Sequence, residues 1–333
     1  MSVINLENIC KEYSIVERQD GIWANVKGLV VNNRTQFRAV ENISFSVDQG
    51  EKVAYIGPNG AGKSTTIKMM SGILKPTDGK IDICGIEPYK NRQKHASNIG
   101  VIFGQRTQLW WDLPAIDSLE LLACMYNVDH DVFKDRLKMY DDYLGFGDFV
   151  NKPVRQLSLG QRVRIDFAAS LIHNPPILLL DEPTIGMDVV AKDKVRKFIN
   201  WVNDETNTTV LLTSHDMKDI EEICDRIIFI NEGKIQYDGD IEQFKKIHQN
   251  TKYLVVEVEK GIQSLDVLRA KYEIEIVDDK RAKFVLKDYD DVRKAINEIT
   301  EVASISDISV FDDDIDTIVK KMFEGRESKN VSD

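Results

Sequence analysis

Apolar residues in the first 240 positions fall into short continuous runs, separated by stretches in which they recur three and four positions apart. Lys52–Ile56, Ile99–Phe103, Ile177–Leu180 and Thr208–Thr213 have the length and composition of buried strands, and Val190–Asn203 has helical spacing. Runs without alternation are typical of strands buried on both faces of a parallel sheet. Strands that alternate with helices predict an α/β fold on a mixed sheet.

A different pattern precedes these runs. Residues 3–13 predict a first strand, and residues 37–47 alternate between apolar and polar positions, which predicts a second strand of an antiparallel kind. Residues 14–36 fit no single period and are predicted to be an insertion. The insertion either packs on its own domain as a surface loop or contacts a partner subunit or the membrane surface, because its Trp and Val side chains are unfavourable in water.

The rest of the chain divides into helical segments and a second domain. Residues 115–147 and 158–173 have helical spacing and predict a helical subdomain. Residues 250–325 have the order strand, helix, strand, strand, helix, strand, which predicts a ferredoxin-like α+β accessory domain. The predicted organisation is a first domain at 1–245, this accessory domain and a polar tail at 326–333. The accessory domain either stabilises a dimer or senses a ligand.

Composition narrows the class of protein. The 333 residues have a formal net charge of −11, which excludes a non-specific nucleic-acid binder. From position 250 onward there are 14 basic and 20 acidic side chains, in agreement with a separate C-terminal unit. Four cysteines without a C-x-x-C pair are typical of free thiols in a reducing compartment. Neither a signal-peptide pattern nor an apolar run of ~18 residues occurs, so we expect membrane association only through a partner.

The strongest chemical motif is Gly57–Thr65, which fits the phosphate-loop pattern G-x-x-x-x-G-K-[ST] between a predicted strand and a predicted helix. Its glycines let successive backbone N–H groups point at phosphate oxygens, and the helix N-terminus adds partial positive charge. We expect Lys63 to reach the β- and γ-phosphates of a nucleotide and the Ser64 hydroxyl to bind Mg²⁺.

Polar residues follow three of the buried strands. Asp181 and Glu182 follow Ile177–Leu180, Gln105 follows Ile99–Phe103, and His215 follows Thr208–Thr213. Active sites of open α/β sheets lie at the carboxyl ends of the strands. Asp181 is therefore predicted to hold Mg²⁺, and Glu182 to polarise a water molecule against the γ-phosphate. The Gln105 amide is placed to touch Mg²⁺ or that water, and His215 is placed to act at the same edge.

A further motif, Leu157–Gln161, opens a predicted helix, with Ser158 at the N-cap position. With Gly160 allowing close approach, this N-terminus is suited to a second anion.

In this order, residues 3–240 resemble the nucleotide-binding subunit of ATP-binding cassette (ABC) transporters, a P-loop NTPase fold with an antiparallel β subdomain and a helical subdomain. The matching segments are Walker A (Gly57–Thr65), the Q-loop (Gln105), the signature (Leu157–Gln161), Walker B (Ile177–Glu182), the D-loop (Gly186–Asp188) and the switch histidine (His215). Leu159 stands where the signature usually has its first glycine, whereas Ser158 and Gly160 are retained.

The resemblance implies a head-to-tail dimer that holds each Mg·ATP between Walker A of one subunit and the signature of the other. It also implies that Tyr13 stacks on adenine, with Phe37 as the alternative if the insertion moves the adenine site. The implied ATP-contacting residues are Tyr13, Asn59, Gly60, Ala61, Gly62, Lys63, Ser64, Thr65, Ser158, Gly160, Gln161 and Asp188. The implied catalytic residues are Glu182, His215 and Gln105, and the implied Mg²⁺ ligands are Ser64, Gln105 and Asp181.

Three runs look closest to the ABC-2 type exporters, namely 105–111, 157–164 and 181–188. This branch implies an ATPase motor at the cytoplasmic face of the membrane, as a homodimer or beside a paralogous ATPase, bound to separate permease subunits. Trp110 and Trp111 then either line the permease groove or belong to the core. The alternatives are a non-transport ABC ATPase of translation or DNA repair, disfavoured by the single cassette, and a regulatory nucleotide-binding module, disfavoured by Glu182 and His215.

Overall fold

The computed structural model describes residues 1–16, 34–104, 106–248, 252–259 and 261–312. The chain divides into two compact units, Met1–Ile241 and Glu242–Asp333. Gln105, most of the predicted insertion and the predicted polar tail lie outside the described residues.

The strands of the first unit are β1 (Ser2–Val16), β2 (Arg34–Asp48), β3 (Lys52–Ile56), β4 (Asp78–Ile83), β5 (Ile99–Phe103), β6 (Ile177–Asp181), β7 (Thr209–Thr213), β8 (Arg226–Asn231) and β9 (Lys234–Asp240). Its α-helices are α1 (Lys63–Met70), α2 (Arg92–Ala96), α3 (Ala115–Met125), α4 (His130–Leu144), α5 (Leu159–Leu171), α6 (Val189–Thr206) and α7 (Met217–Ile223). A further helix, α8 (Ile241–His248), begins at the last residue of this unit.

The larger sheet has the order β5-β6-β7-β3-β8-β9, and its strands are parallel except for β9, which is antiparallel to β8. All residues of β6 and β7 are buried, as their uninterrupted apolar runs predict. The register places Phe103, Asp181 and Thr213 side by side. The residues that come directly after these three strands therefore share one edge of the sheet.

A second, antiparallel sheet has the order β2-β1-β4. Its inward side chains form a common core with β3 and with Ile67, Met69 and Met70 of α1, which confirms the predicted antiparallel subdomain. Strands β1 and β2 remain paired as far as Val16 and Arg34. Residues 14–16 and 34–36, predicted to belong to the insertion, are thus strand residues, because the backbone ladder continues beyond the region of clear apolar alternation.

The helical layer has an aromatic core. Tyr140 of α4 and Phe167 of α5 both meet Phe198 of α6 edge-on, with ring centroids 5.3 and 6.2 Å from that of Phe198.

The single helical stretch predicted at 115–147 is wrong at its centre, since Asn127 adopts φ +54° and Asp129 caps a new helix, α4.

The second unit has the predicted element order: β10 (Lys252–Val258), a 3₁₀ helix (Ile262–Ala270), β11 (Glu273–Ile276), β12 (Arg281–Leu286), α9 (Tyr289–Val302) and β13 (Ile305–Asp312). Its antiparallel sheet has the order β11-β12-β10-β13, which is the ferredoxin-like arrangement. Apolar side chains on one sheet face, among them Leu254, Val256 and Phe284, form its core with Ala295 and Ile299 of α9.

One buried carboxylate fixes the segment after β5 and Gln105. Asp166 of α5 accepts hydrogen bonds at Oδ1 from Thr107 Oγ1 (2.9 Å) and from the Gln108 backbone N–H (3.2 Å). Burial raises the pKa of Asp166 to about 7, although these hydrogen bonds and Arg162 lower it. The folded chain thus holds a proton at Asp166 at pH values where the unfolded chain does not.

This proton makes the free energy of unfolding fall as the pH rises from the ordinary aspartate range to about 7. Asp166→Asn keeps an acceptor oxygen and removes the titration. Between pH 5 and 8 the wild type should lose more unfolding free energy than Asp166→Asn does, and we expect the difference to be about 1–3 kcal/mol. Urea unfolding at the two pH values tests this, with the exposed Asp112→Asn as the control. The same pH dependence in Asp166→Asn and wild type would contradict it.

Candidate active site

The phosphate loop is a backbone cradle between β3 and α1. Gly60 and Gly62 have φ values of +84° and +107°, which favour glycine, and a Cβ on Gly62 would lie 2.5 Å from the Ala39 carbonyl oxygen. The Gly233 N–H donates to the Ala61 carbonyl (3.1 Å). Contacts from both sheets therefore fix the loop. Asn59 and Gly60 are exposed at its rim, and Thr65 is half-buried in the first turn of α1.

Lys63 points back into this cradle. Its side chain is only 7% exposed, and Nζ donates to the carbonyls of Gly57 (2.6 Å) and Pro58 (3.1 Å). Burial lowers the pKa of Lys63, whereas the charges of Glu182 and Asp181 raise it. The ammonium group therefore lies within the loop, beside two carboxylates.

The Asp181 carboxylate joins two elements at the strand ends. Its Oδ1 accepts from Ser64 Oγ (3.2 Å) and from Thr213 Oγ1 (2.8 Å). Carboxylate and hydroxyl oxygens are the donors that Mg²⁺ prefers, and Mg²⁺ is usually held by one or two carboxylates together with phosphate and water. The described residues contain no group of three or more His, Cys, Asp or Glu that could hold a metal ion by itself. The Ser64 hydroxyl and the Asp181 carboxylate have the chemistry of Mg²⁺ ligands.

Glu182 and His215 face each other at the next position outward. Glu182 Oε1 lies 3.2 Å from His215 Nε2, and the His215 backbone N–H donates to Oε2 (3.2 Å). The Glu182 N–H in turn donates to both the carbonyl and the hydroxyl oxygen of Thr213, each at 3.1 Å. Burial raises the pKa of Glu182, although His215 and Lys63 lower it. Glu182 is therefore a stronger base than an exposed glutamate.

A cavity of about 280 Å³ opens beside these groups. Ser64, Asp181 and Glu182 line it, and so do Lys68 and Arg106. Neither Lys68 nor Arg106 was assigned a role from the sequence. The sequence signal for both is position: Lys68 lies in α1 after Lys63, and Arg106 directly follows Gln105.

The signature lies at the N-terminus of α5. The Gln161 N–H donates to Ser158 Oγ (3.2 Å), and Gln161 Oε1 accepts from the Ser158 N–H (2.9 Å), which forms a capping box. A Cβ on Gly186 would lie 2.7 Å from Leu159 Cδ2, so this leucine packs on the D-loop. Gly160 and the other signature residues do not line the cavity at Asp181.

Asp188, Tyr13 and Phe37 lie on other elements. Asp188 caps α6, with its Oδ1 accepting from the Ala191 N–H (2.9 Å). Tyr13 and Phe37 are directly opposite each other on β1 and β2 and are both partly exposed. Opposite residues of an antiparallel pair lie on the same face, so the two aromatic alternatives belong to one surface.

Trp110 and Trp111 are surface residues. They are 39% and 51% exposed, and the Arg162 guanidinium lies over the Trp111 ring at 5.1 Å from its centroid. The interpretation that they belong to the core is therefore wrong.

Taken together, the phosphate loop, the strand-end carboxylates and the capped helix define a P-loop ATPase. The family model described as ABC transporter matches residues 40–185. The chain is 34% identical over 205 residues to the ABC transporter ATP-binding protein NatA of Bacillus subtilis, an alignment that covers 62% of this chain and 83% of NatA. It is 30% identical over 237 residues to the bacitracin transport ATP-binding protein BcrA of Bacillus licheniformis, covering 71% and 76%.

This chain belongs to the family of ABC transporter ATP-binding proteins. A dimeric ATP-binding cassette solved in a post-hydrolysis state with ADP and phosphate is similar in structure, with a TM-score of 0.60, 26% identity and coverage of 72% of this chain and 98% of that one. The predicted fold class and ATP-binding function are confirmed, and ATP hydrolysis is the activity expected of the family. Among the described residues, no helix has the length and apolar character needed to span a membrane.

Gly104 links β5 to the carboxylates, since its N–H donates to the Asp181 carbonyl (2.8 Å) and a Cβ on it would lie 2.0 Å from the Glu182 carbonyl oxygen. We expect Gly104→Ala to displace Glu182 and lower kcat for ATP hydrolysis about tenfold or more. Steady-state ATPase kinetics test this.

Gly239→Ala is the matched control, because its added Cβ meets only the hydroxyl end of Tyr237, at 2.8 Å, which can move. Wild-type kcat in folded Gly104→Ala would show that the close backbone contact has no bearing on the site.

Proposed function

We propose that this protein is the ATP-hydrolysing motor subunit of an ABC-2 type exporter, acting with separate permease subunits. The observation that carries the hydrolytic part is the position of Glu182. It lines one cavity with Ser64 and Asp181, its Oε2 accepts from the His215 backbone N–H, and its Oε1 lies 3.2 Å from His215 Nε2. A regulatory module without turnover would not need Glu182 in this position.

Each residue has a distinct part in the proposed reaction. Loop N–H groups and Lys63 Nζ bind and orient the phosphates of ATP. Glu182 orients the attacking water and accepts its proton, which its raised pKa favours. His215 holds the Glu182 carboxylate in place, and Tyr13, or Phe37 opposite it, offers a ring for adenine. Ser64, Asp181 and Gln105 would hold Mg²⁺, which neutralises charge on the phosphates when it is bound.

The second half of each site comes from a second ATPase subunit in this proposal. Ser158, Gly160 and Gln161 present a helix N-terminus, the kind of group that binds an anion, yet they are absent from the cavity of their own subunit. Val189 and Val190, directly after Asp188, are 73% and 70% exposed. A second copy would cover such apolar side chains. ATP that joins the two surfaces then favours the closed dimer, and hydrolysis releases it.

Transport is supported by the relative named for bacitracin transport and by the ABC-2-like runs of the sequence. The exposed Trp110 and Trp111 are suited to the coupling helices of a permease, which would hold the ATPase at the cytoplasmic face of the membrane. The second ATPase subunit is either an identical chain or a paralogue.

Glu182→Gln should lower kcat at least 100-fold, because the amide cannot accept a proton, and should leave ATP binding intact. The variant should then accumulate as an ATP-bound dimer, measurable by size-exclusion chromatography with light scattering. Glu205→Gln, an exposed position at the end of α6, is the control. Hydrolysis at the wild-type rate would remove Glu182 from its proposed role.

The export proposal is tested in native membranes. A tagged Lys63→Ala variant and the wild type should both co-purify with a multi-span protein, and only the wild type should drive ATP-dependent transport in reconstituted vesicles. A chain that is recovered alone and free of membranes would contradict the transporter proposal while leaving ATP hydrolysis unaffected.

A further inference from the structure

Glu182 and His215 lie on two separate loops, one after β6 and one after β7. The paired register of β6 and β7 ends at Asp181 and Thr213, and the Glu182 N–H still donates to the Thr213 carbonyl and hydroxyl oxygens. Thr184 and Ser214 lie beyond the paired strands. Glu182 also adopts φ +54°, a conformation that a residue with a Cβ disfavours without outside support. Contacts beyond the paired strands therefore contribute to the relative position of the two loops.

We propose that Asp219 is a positioning residue for ATP hydrolysis, because its single buried carboxylate holds both loops at once. This inference rests on the proposed roles of Glu182 and His215. Asp219 lies on α7 and is completely buried. Among the described residues, Asp219 makes no hydrogen bond to the side chain of Glu182 or His215. It acts through residues next to them.

The contacts are to hydroxyl groups next to the proposed catalytic residues. Asp219 Oδ2 accepts from Thr184 Oγ1, two residues after Glu182, and from Ser214 Oγ (3.1 Å), directly before His215. Ser214 Oγ also accepts from the Asp216 N–H (3.0 Å), which fixes the far side of the His215 loop. One oxygen atom thus fastens both loops to α7.

The charge of Asp219 is balanced from α6. Arg196 is 3% exposed, and its Nε lies 3.1 Å from Asp219 Oδ1, while its Nη1 lies 2.8 Å from Glu222 Oε2. A buried ion pair is weak support for stability, because desolvation offsets most of the attraction. Accepting hydrogen bonds from both Thr184 and Ser214 is a more specific role for the Asp219 carboxylate than stabilising the fold through the ion pair.

The two hydroxyl groups allow each loop to be released separately. Thr184→Val removes the hydrogen bond from Thr184 to Asp219. Ser214→Ala removes the hydrogen bond from Ser214 to Asp219 and also the one that Ser214 Oγ accepts from the Asp216 N–H. Both variants leave Asp219 paired with Arg196. A hydrogen bond to a charged group contributes enough to predict a fall in kcat of about tenfold for each variant. KM for ATP should change less than about twofold, because the phosphate loop makes the binding contacts. Asp219→Asn should lower kcat at least as much as either single variant.

Conservative variants separate positioning from general destabilisation. Thr184→Ser and Ser214→Thr keep the hydroxyl and should recover most of the wild-type kcat. The control is Asp238→Asn, which weakens a more exposed Asp–Arg ion pair, to Arg226 Nε (2.7 Å), at the β8–β9 hairpin. This variant should lower the thermal midpoint and leave kcat unchanged.

Steady-state ATPase kinetics of the full-length chain, at a temperature where circular dichroism shows every variant folded, decide the question. Wild-type kcat in folded Thr184→Val and Ser214→Ala would overturn the inference, even if Asp219→Asn fails to fold. If Glu182→Gln is the only variant that loses activity, the proposed function stands and the role of Asp219 is rejected. Wild-type activity in Glu182→Gln would reject the site assignment itself.

Discussion

The parallel register of β5, β6 and β7 is the constraint on which the site depends. It sets Phe103, Asp181 and Thr213 side by side, so that groups from three distant parts of the chain meet at one edge of the sheet. The hydrogen bond from Thr213 Oγ1 to Asp181 Oδ1 and the Gly104 contact with Glu182 are short-range consequences of that alignment. A shift of one residue between β6 and β7 would turn these side chains to opposite faces of the sheet.

The phosphate loop depends on a different set of contacts. Its backbone is supported from the antiparallel sheet through Ala39 and from the β8–β9 turn through Gly233. The two sheets enclose α1, whose apolar residues belong to the core that they share. The loop is therefore held open by packing against the backbone of other elements, and its own short sequence sets only which conformations are accessible.

The elements predicted from sequence were those with strong local signals. Short apolar runs gave β3 and β5 their observed bounds, whereas the short helices α2 and α8 have too little periodicity to be predicted. The site residues next to the phosphate loop follow from motif spacing. The link from Thr184 and Ser214 to Asp219 does not, because common residue types 5 and 35 positions apart carry no local pattern and meet only through the fold.

The signature illustrates why a departure from a motif needs a three-dimensional account. Leu159 replaces a residue that is usually glycine, yet its side chain lies toward Gly186, where the absence of a Cβ leaves room. Ser158 and Gln161 keep the capping box at the helix N-terminus. The substitution therefore adds apolar contact between the signature helix and the D-loop without altering the cap. A larger residue at Gly186 would compete for the same space, so the two positions are coupled by volume.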